Sequence, residues 1–256
     1  MAFEGKVVLI TGGGSGMGRL AARNLAAAGK EVAIFDINAA GLAETATGHT
    51  GIHHWVVDIT DGEAVHAAVR EVEDKLGPID RLYNCAAIMP FGKLLEQKAD
   101  VMHTMMAINY GGLVHITQAV LPNMIARGKG DFISFASMAG ILPTMLTGGY
   151  SATKAAVAFF TETLYHENIN SGVRFACVCP PTTNTPLLDQ GRETAWPKML
   201  DQGSLLDPQD VLNAIERDLE KGKFWVFPNR DSSIGALMRR WAPGLIWKQI
   251  HKVEGF

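Results

Sequence analysis

Eight residues, Thr11-Gly12-Gly13-Gly14-Ser15-Gly16-Met17-Gly18, join an apolar run at 6–10 to a stretch of helical spacing at 16–29. Glycine at this density allows a tight strand-to-helix turn and lets backbone amides approach a ligand closely. The start of the helix carries partial positive charge, so the same turn suits a pyrophosphate. A glycine-rich surface loop is the alternative. It lacks the flanking strand and helix that are present here.

The rest of the chain repeats that unit. Apolar runs at 31–35, 52–57, 79–83, 131–136 and 173–178 alternate with helical patterns at 38–47, 61–76, 99–127, 150–171 and 207–221. Residues 223–226 supply a last short strand. Thr60 or Asp61 is placed to cap the third helix, and Asp207 with Pro208 opens the helix at 207–221. Pro78 closes the helix before it. VVLI, VAIF and VRFACV are apolar on both faces, as strands covered on both sides by helices must be. The expectation is an α/β single-domain doubly wound parallel sheet, a Rossmann fold of about seven strands with helices on both faces. Residues 1–229 form its body and 230–256 a C-terminal extension of the same domain.

Several classes fall away. A formal net charge of −3 argues against nucleic acid as a partner. Residues 1–10 are too short and too soon polar for a signal peptide, and no apolar run is long enough for a transmembrane segment. Cys85, Cys177 and Cys179 cannot all pair within one chain, which suits reduced thiols and a cytoplasmic location.

Asp36 ends the second strand, 18 residues after Gly18. A carboxylate there accepts hydrogen bonds from a ribose 2′-hydroxyl and repels a 2′-phosphate. Ile37 follows it and Ser15 sits in the turn, so no neighbouring cation invites that phosphate and NAD is preferred over NADP. The plainer role for Asp36 is a helix N-cap. Further on, Tyr150-Ser151-Ala152-Thr153-Lys154 puts a phenol and an ammonium on one helix face. The ammonium is expected to lower the phenol pKa toward working pH. Ser137, 13 residues earlier, ends a strand where its hydroxyl can hold a substrate oxygen.

Taken together, these residues resemble the short-chain dehydrogenase/reductase family in its compact single-domain form, over about residues 5–228. Thr11 to Gly18 matches its T-G-x-x-x-G-x-G turn, with Gly12, Ser15, Gly16, Met17 and Gly18 as cofactor contacts. Asp58 and Ile59 match the adenine-contacting acid and its neighbour. Asn84-Cys85-Ala86-Ala87 stands where the family has N-N-A-G, which makes Asn84 and Ala86 further contacts. Asn109 matches the asparagine of the central helix, and Ser137-Met138-Ala139-Gly140 the serine segment. Pro180, Thr183 and Thr185 match the P-G-x-x-x-T segment beside the nicotinamide. The resemblance implies hydride transfer between a carbinol carbon and the nicotinamide. Tyr150 is then the general acid/base, Lys154 its tuner and a ribose ligand, Ser137 the substrate-orienting group and Asn109 the holder of a water reaching Lys154. It also implies a homodimer or homotetramer.

Two residues depart from the pattern. Ala87 and Pro181 each replace a family glycine. A methyl at 87 crowds the cofactor unless the backbone shifts, and proline at 181 fixes φ and removes an N–H.

Other candidates are set aside. His49, His53 and His54 lack the further ligands of a metal shell, so no metal is expected. His66, His103, His115 and His166 sit on helices with no partner evident from spacing. Cys177 and Cys179 share a strand face and are read as core.

The segment 186–206 carries Leu187, Leu188, Trp196 and Met199, and Met89 and Phe91 stand near the expected pocket. Deformable methionines suit a lipophilic small-molecule substrate, a secondary alcohol or its ketone. The alternatives are a 3-oxoacyl-thioester reductase, which the NAD preference opposes, and a non-catalytic dinucleotide-binding regulator, which would not need four catalytic residues. In 230–256, Arg230, Arg239, Arg240, Lys248 and Lys252 stand against Asp231 and Glu254, a net of +3. Trp241 and Trp247 lie among them. Packing near the substrate mouth, on the same or a neighbouring subunit, is expected ahead of peripheral membrane contact, because two short helical pieces insert weakly.

Overall fold

The computed structural model describes residues 3–255; Met1, Ala2 and Phe256, which the expected bounds include, lie outside the described residues. Seven parallel strands form one sheet in the order β3-β2-β1-β4-β5-β6-β7. They are β1 (Val7–Thr11), β2 (Glu31–Asp36), β3 (Ile52–Val56), β4 (Ile79–Asn84), β5 (Gly130–Phe135), β6 (Val173–Val178) and β7 (Trp225–Val226). Register runs Val8 to Val32 on one side of β1 and Val8 to Arg81 on the other. The apolar runs became strands because alternate side chains bury against helices on opposite faces. Val7 and Leu9 join one core, and Val8 and Ile10 the other.

Helices α1 (Gly16–Ala27), α2 (Ala39–Ala46) and α3 (Gly62–Leu76) follow the first three strands. Asp61 caps α3 by accepting from the Ala64 amide. The expected helix over 99–127 is broken in the middle. It consists of α4 (Ala99–Met106), a π turn over Ala107–Gly111, and α5 (Gly112–Arg127). Next come the short α6 (Met138–Ile141) and the long α7 (Gly148–Glu167). Residues 186–206 hold α8 (Leu187–Thr194) and a 3₁₀ turn over Lys198–Asp201, neither evident from sequence. α9 (Pro208–Glu220) starts on an Asp207 cap. The chain then ends in α10 (Arg230–Trp241) and α11 (Pro243–Glu254), parted at Ala242.

The order of the sheet reverses between β1 and β4. The loops leaving their carboxyl ends diverge there and open a crevice, the usual ligand position in such sheets. At the far end of the sheet lies a buried ion cluster. Arg81, 1% exposed, donates to Asp131 on β5 at 2.8 Å and pairs with Glu216 on α9. Asp131 also accepts from Arg174 on β6. Arg81 and Asp131 survive burial because each finds opposite charge and hydrogen bonds, including from the more exposed Glu216 and Arg174.

Candidate active site

A cavity of about 620 Å³ fills the crevice. Its wall includes Gly12, Ser15, Gly16, Met17 and Gly18 from the turn, Asp36 after β2, and Asp58 and Ile59 after β3. Ala86 and Thr185 also line it. Two glycines explain the turn. Gly12 has φ +70°, and a Cβ there would meet the Ala86 backbone at 2.9 Å. A Cβ on Gly18 would lie 2.3 Å from the Gly12 carbonyl oxygen. Larger residues would push the turn out of the crevice.

Asp36 is not the cap of α2. Asn38 fills that place, accepting from the Gly41 amide. The Asp36 carboxylate instead accepts from the Gly14 amide at 2.9 Å and the Asn38 amide at 3.0 Å, beside the cavity. The fold brings a cation nearer than the local sequence suggests. Arg19 donates to the Gly14 carbonyl and pairs with Glu44. Its guanidinium is therefore committed within the protein. At the other end of this wall, hydrogen bonds from the Thr60 amide and hydroxyl hold the Asp58 carboxyl below its ordinary range. His115, expected to lack a partner, lies 3.1 Å from the Ile59 carbonyl oxygen.

Asn84 does not line the cavity. Its Oδ1 accepts from the Thr11 hydroxyl at 2.8 Å, and Thr11 Oγ1 accepts from the Ala86 amide at 3.2 Å. It acts by bracing the β1 and β4 loops against each other. Pro180 and Thr183 also stand outside the wall; the Pro180 carbonyl accepts from the Met138 amide at 2.9 Å. Neither departure strains the chain. Among described non-glycine residues only Leu146 has positive φ, so Ala87 needs no glycine. Pro181 keeps a hydrogen bond, its carbonyl accepting from the Thr183 hydroxyl at 2.8 Å.

Ser137, Tyr150, Lys154 and Asn109 lie outside the cavity wall, Asn109 reaching it through the backbone of Ile88, which lines it. Ser137 caps α6, accepting from the Ala139 amide at 3.1 Å, and its side chain also hydrogen bonds Tyr150. Gly140 makes this possible, since a Cβ there would sit 2.6 Å from the Lys154 backbone carbon. α6 thus lies directly on α7. Lys154 Nζ donates to the Phe135 carbonyl at 2.7 Å, 5.9 Å from the centre of the Tyr150 ring.

The expected lowering of the phenol pKa is not what this arrangement gives. Burial pushes Tyr150 up to about 12, and only the Ser137 hydrogen bond acts downward. Helical spacing placed Lys154 on the right face, but its ammonium points to a β5 carbonyl. Burial draws Lys154 itself down to about 8, with the thiols of Cys85, Cys177 and Cys179 acting the other way. Among the described residues no carboxylate compensates its desolvation.

Asn109 lies in the π turn, and both hydrogens of its side-chain amide are used. Oδ1 accepts from the Ile88 amide at 2.9 Å, and Nδ2 donates to the Ile88 carbonyl and to Thr153 Oγ1. π turns of this kind recur at functional sites.

The substrate side has two residues that sequence reasoning missed. Gln190 accepts from the Met89 amide at 2.9 Å, and Thr194 from the Phe91 amide at 2.8 Å. Their i,i+4 spacing on α8 was the one available signal. Gly191 lies between them, where a Cβ would meet the Phe91 ring at 2.8 Å. α8 is thereby latched over Tyr150. The phenol sits in a buried cluster with Met89, Phe91, Met105 and Leu188. Phe91 meets the Tyr150 ring edge-on at 6.0 Å and lies 6.1 Å from Trp196.

The crevice fits a dinucleotide: a glycine turn open to close approach, a carboxylate beside it and a cavity of matching extent. The description "short chain dehydrogenase" matches residues 6–196. The 2-keto-3-deoxy-L-fuconate dehydrogenase of Xanthomonas campestris pv. campestris is 33% identical over 83% of this chain and 73% of that protein. Human epidermal retinol dehydrogenase 2 is 29% identical over 87% and 74%. A solved short-chain dehydrogenase/reductase from Burkholderia phymatum, in complex with NAD, superposes with a TM-score of 0.85. It is 26% identical and covers 96% of each chain.

Proposed function

The chain belongs to the short-chain dehydrogenase/reductase family, and from that premise we propose that it is an NAD-dependent oxidoreductase interconverting a lipophilic secondary alcohol and its ketone. The carrying observation is the apolar enclosure of Tyr150 by Met89, Phe91, Met105 and Leu188. The two relatives' names point apart, one to 2-keto-3-deoxy-L-fuconate and one to retinol, so the choice rests on this chain's own residues.

A bound NAD supplies the redox chemistry, accepting or giving the hydride at the nicotinamide. Gly12, Gly16 and Gly18 admit its pyrophosphate to the start of α1, and Asp36 takes its adenosine ribose. Asp36 favours NAD over NADP because a 2′-phosphate would meet a carboxylate while Arg19 is engaged elsewhere.

Tyr150 removes the hydroxyl proton in oxidation and returns it in reduction. With its pKa pushed up to about 12, the phenol is the resting form and the donor is ready at neutral pH. Ser137 holds the substrate oxygen beside it. Lys154 holds the nicotinamide ribose, and Asn109 fixes the Ile88 backbone at the edge of the site. α8 excludes water over the reacting atoms.

The test is NADH formation across a panel of lipophilic secondary alcohols, sugars and small hydroxy acids. Turnover of the lipophilic members supports the reading. Turnover of sugars or small acids alone overturns the substrate class. Tight NAD binding with no turnover of any member would favour a non-catalytic regulator.

A further inference from the structure

Helices α10 and α11 each use one face to hold the body of the protein. On α10, Ser232 is buried, and a Cβ on Gly235 would meet Met138 of α6 at 3.5 Å. On α11, Ile250 is 1% exposed and Glu254 accepts from the Met199 amide at 2.8 Å, tying the helix to the 3₁₀ turn of the substrate segment. Among the described residues the opposite faces have no such partner.

There, α10 shows solvent a stripe of Ile234, Leu237, Met238 and Trp241, at i, i+3, i+4 and i+7. Leu237 and Trp241 are 60% and 74% exposed. Leu245 continues the apolar run just past the Ala242 corner. Five of the thirteen large apolar side chains exposed among the described residues fall within 234–245. Such concentration marks an interaction surface, where scattered single residues would not.

The stripe has a basic border. The Arg240 guanidinium lies 5.8 Å from the Trp241 ring centre. Lys248 and Lys252 share the Leu245 side of α11 by helical spacing and are exposed. The charge is segregated: +3 over 230–256, against −6 for the remainder of a chain whose total is −3.

We propose that this face docks on an anionic lipid surface, with the helices lying in the interface. Tryptophan and leucine enter the headgroup boundary, while arginine and lysine stay with the lipid phosphates. Twelve-residue helices are too short to span a bilayer, and no described helix is long and apolar enough to do so. A second copy meeting this face about a twofold axis would set its basic border against itself. An anionic bilayer complements both the charge and the apolar stripe. The inference is independent of the substrate class.

The test is flotation of the full chain with vesicles of phosphatidylcholine and phosphatidylglycerol, or of phosphatidylcholine alone, at low and high salt. Two variants accompany it, Leu237→Ser/Trp241→Ser and Arg240→Glu/Lys248→Glu. Oligomer size and NAD affinity are measured alongside. The parent chain is expected to bind anionic vesicles about tenfold or more tightly than neutral ones and to release in high salt. Each variant should lose about tenfold in binding, with oligomer size and NAD affinity unchanged. The proposal fails if the parent chain ignores anionic vesicles or binds neutral ones equally well. It also fails if the variants change oligomer size and leave vesicle binding intact, which would assign the face to a second copy.

Discussion

The two walls of the cleft are built by different means. The cofactor wall is made of backbone and short-range spacing: a turn that only glycine can follow, and a carboxylate at a strand end holding the Gly14 amide. The substrate wall is assembled from distant pieces. Gln190 and Thr194 reach the Met89 and Phe91 amides across 101 and 103 residues of chain. The first wall is part of the sheet and cannot open without unfolding it. The second is held to the body by a few side-chain bonds and an aromatic contact. Segments so attached open at low cost, which suits a lid that must admit substrate and release product.

The sharpest test of this division is Tyr150→Phe. It should cut turnover by about 10²–10⁴-fold while leaving NAD affinity nearly unchanged, read by single-turnover rates and by quenching of protein fluorescence. Normal turnover in that variant would remove Tyr150 from the chemistry.

Ser137 gives a test with a sign. Its hydrogen bond is the influence that favours the phenolate, against a burial that pushes Tyr150 up to about 12. Oxidation by the parent chain should rise through the alkaline range as the phenol ionises. Ser137→Ala should move that limb to still higher pH as well as slow the reaction. A limb that stays in place would mean the titrating group lies elsewhere.

On the cofactor wall, Asp36→Ala removes a charged acceptor from the ribose position and from the Gly14 amide. NAD binding should weaken by roughly tenfold to a hundredfold, with NADP affected less. If the parent chain already binds NADP as well as NAD, Asp36 does not set the preference.

The smallest expected effect belongs to the latch. Thr194→Val keeps shape but removes the acceptor for the Phe91 amide. One hydrogen bond is worth about 1 kcal/mol, so KM should rise about fivefold while the Kd for NAD stays put. A parallel loss in NAD binding would show that the two walls are not separable.

The seven strands and most of the helices could be read directly from the chain. Buried parallel strands must be apolar on both faces, and the helices between them carry caps such as Asp61 and Asp207. The glycine turn and Asp36 were legible because a strand end and a helix start mark their places along the chain, although what they touch, Ala86 and Gly14, comes from further away. α8 was not, for it is short, partly polar and held by contacts from the far side of the cleft. The π turn at Asn109 was equally hidden, since its reason is the Ile88 backbone and Thr153. Arg81 reads as an unremarkable strand charge until Asp131 and Glu216 close on it.

Sequence spacing alone therefore determined the sheet, the position of the crevice and the grouping of Tyr150 with Lys154 on one helix face, because each follows from backbone periodicity. Only the tertiary structure decided what Asn84 braces, where the Lys154 ammonium points and which way the Tyr150 pKa moves. Those depend on burial and on donors brought from other strands and helices, and desolvation of a buried phenol outweighs what an i,i+4 neighbour on its helix suggests.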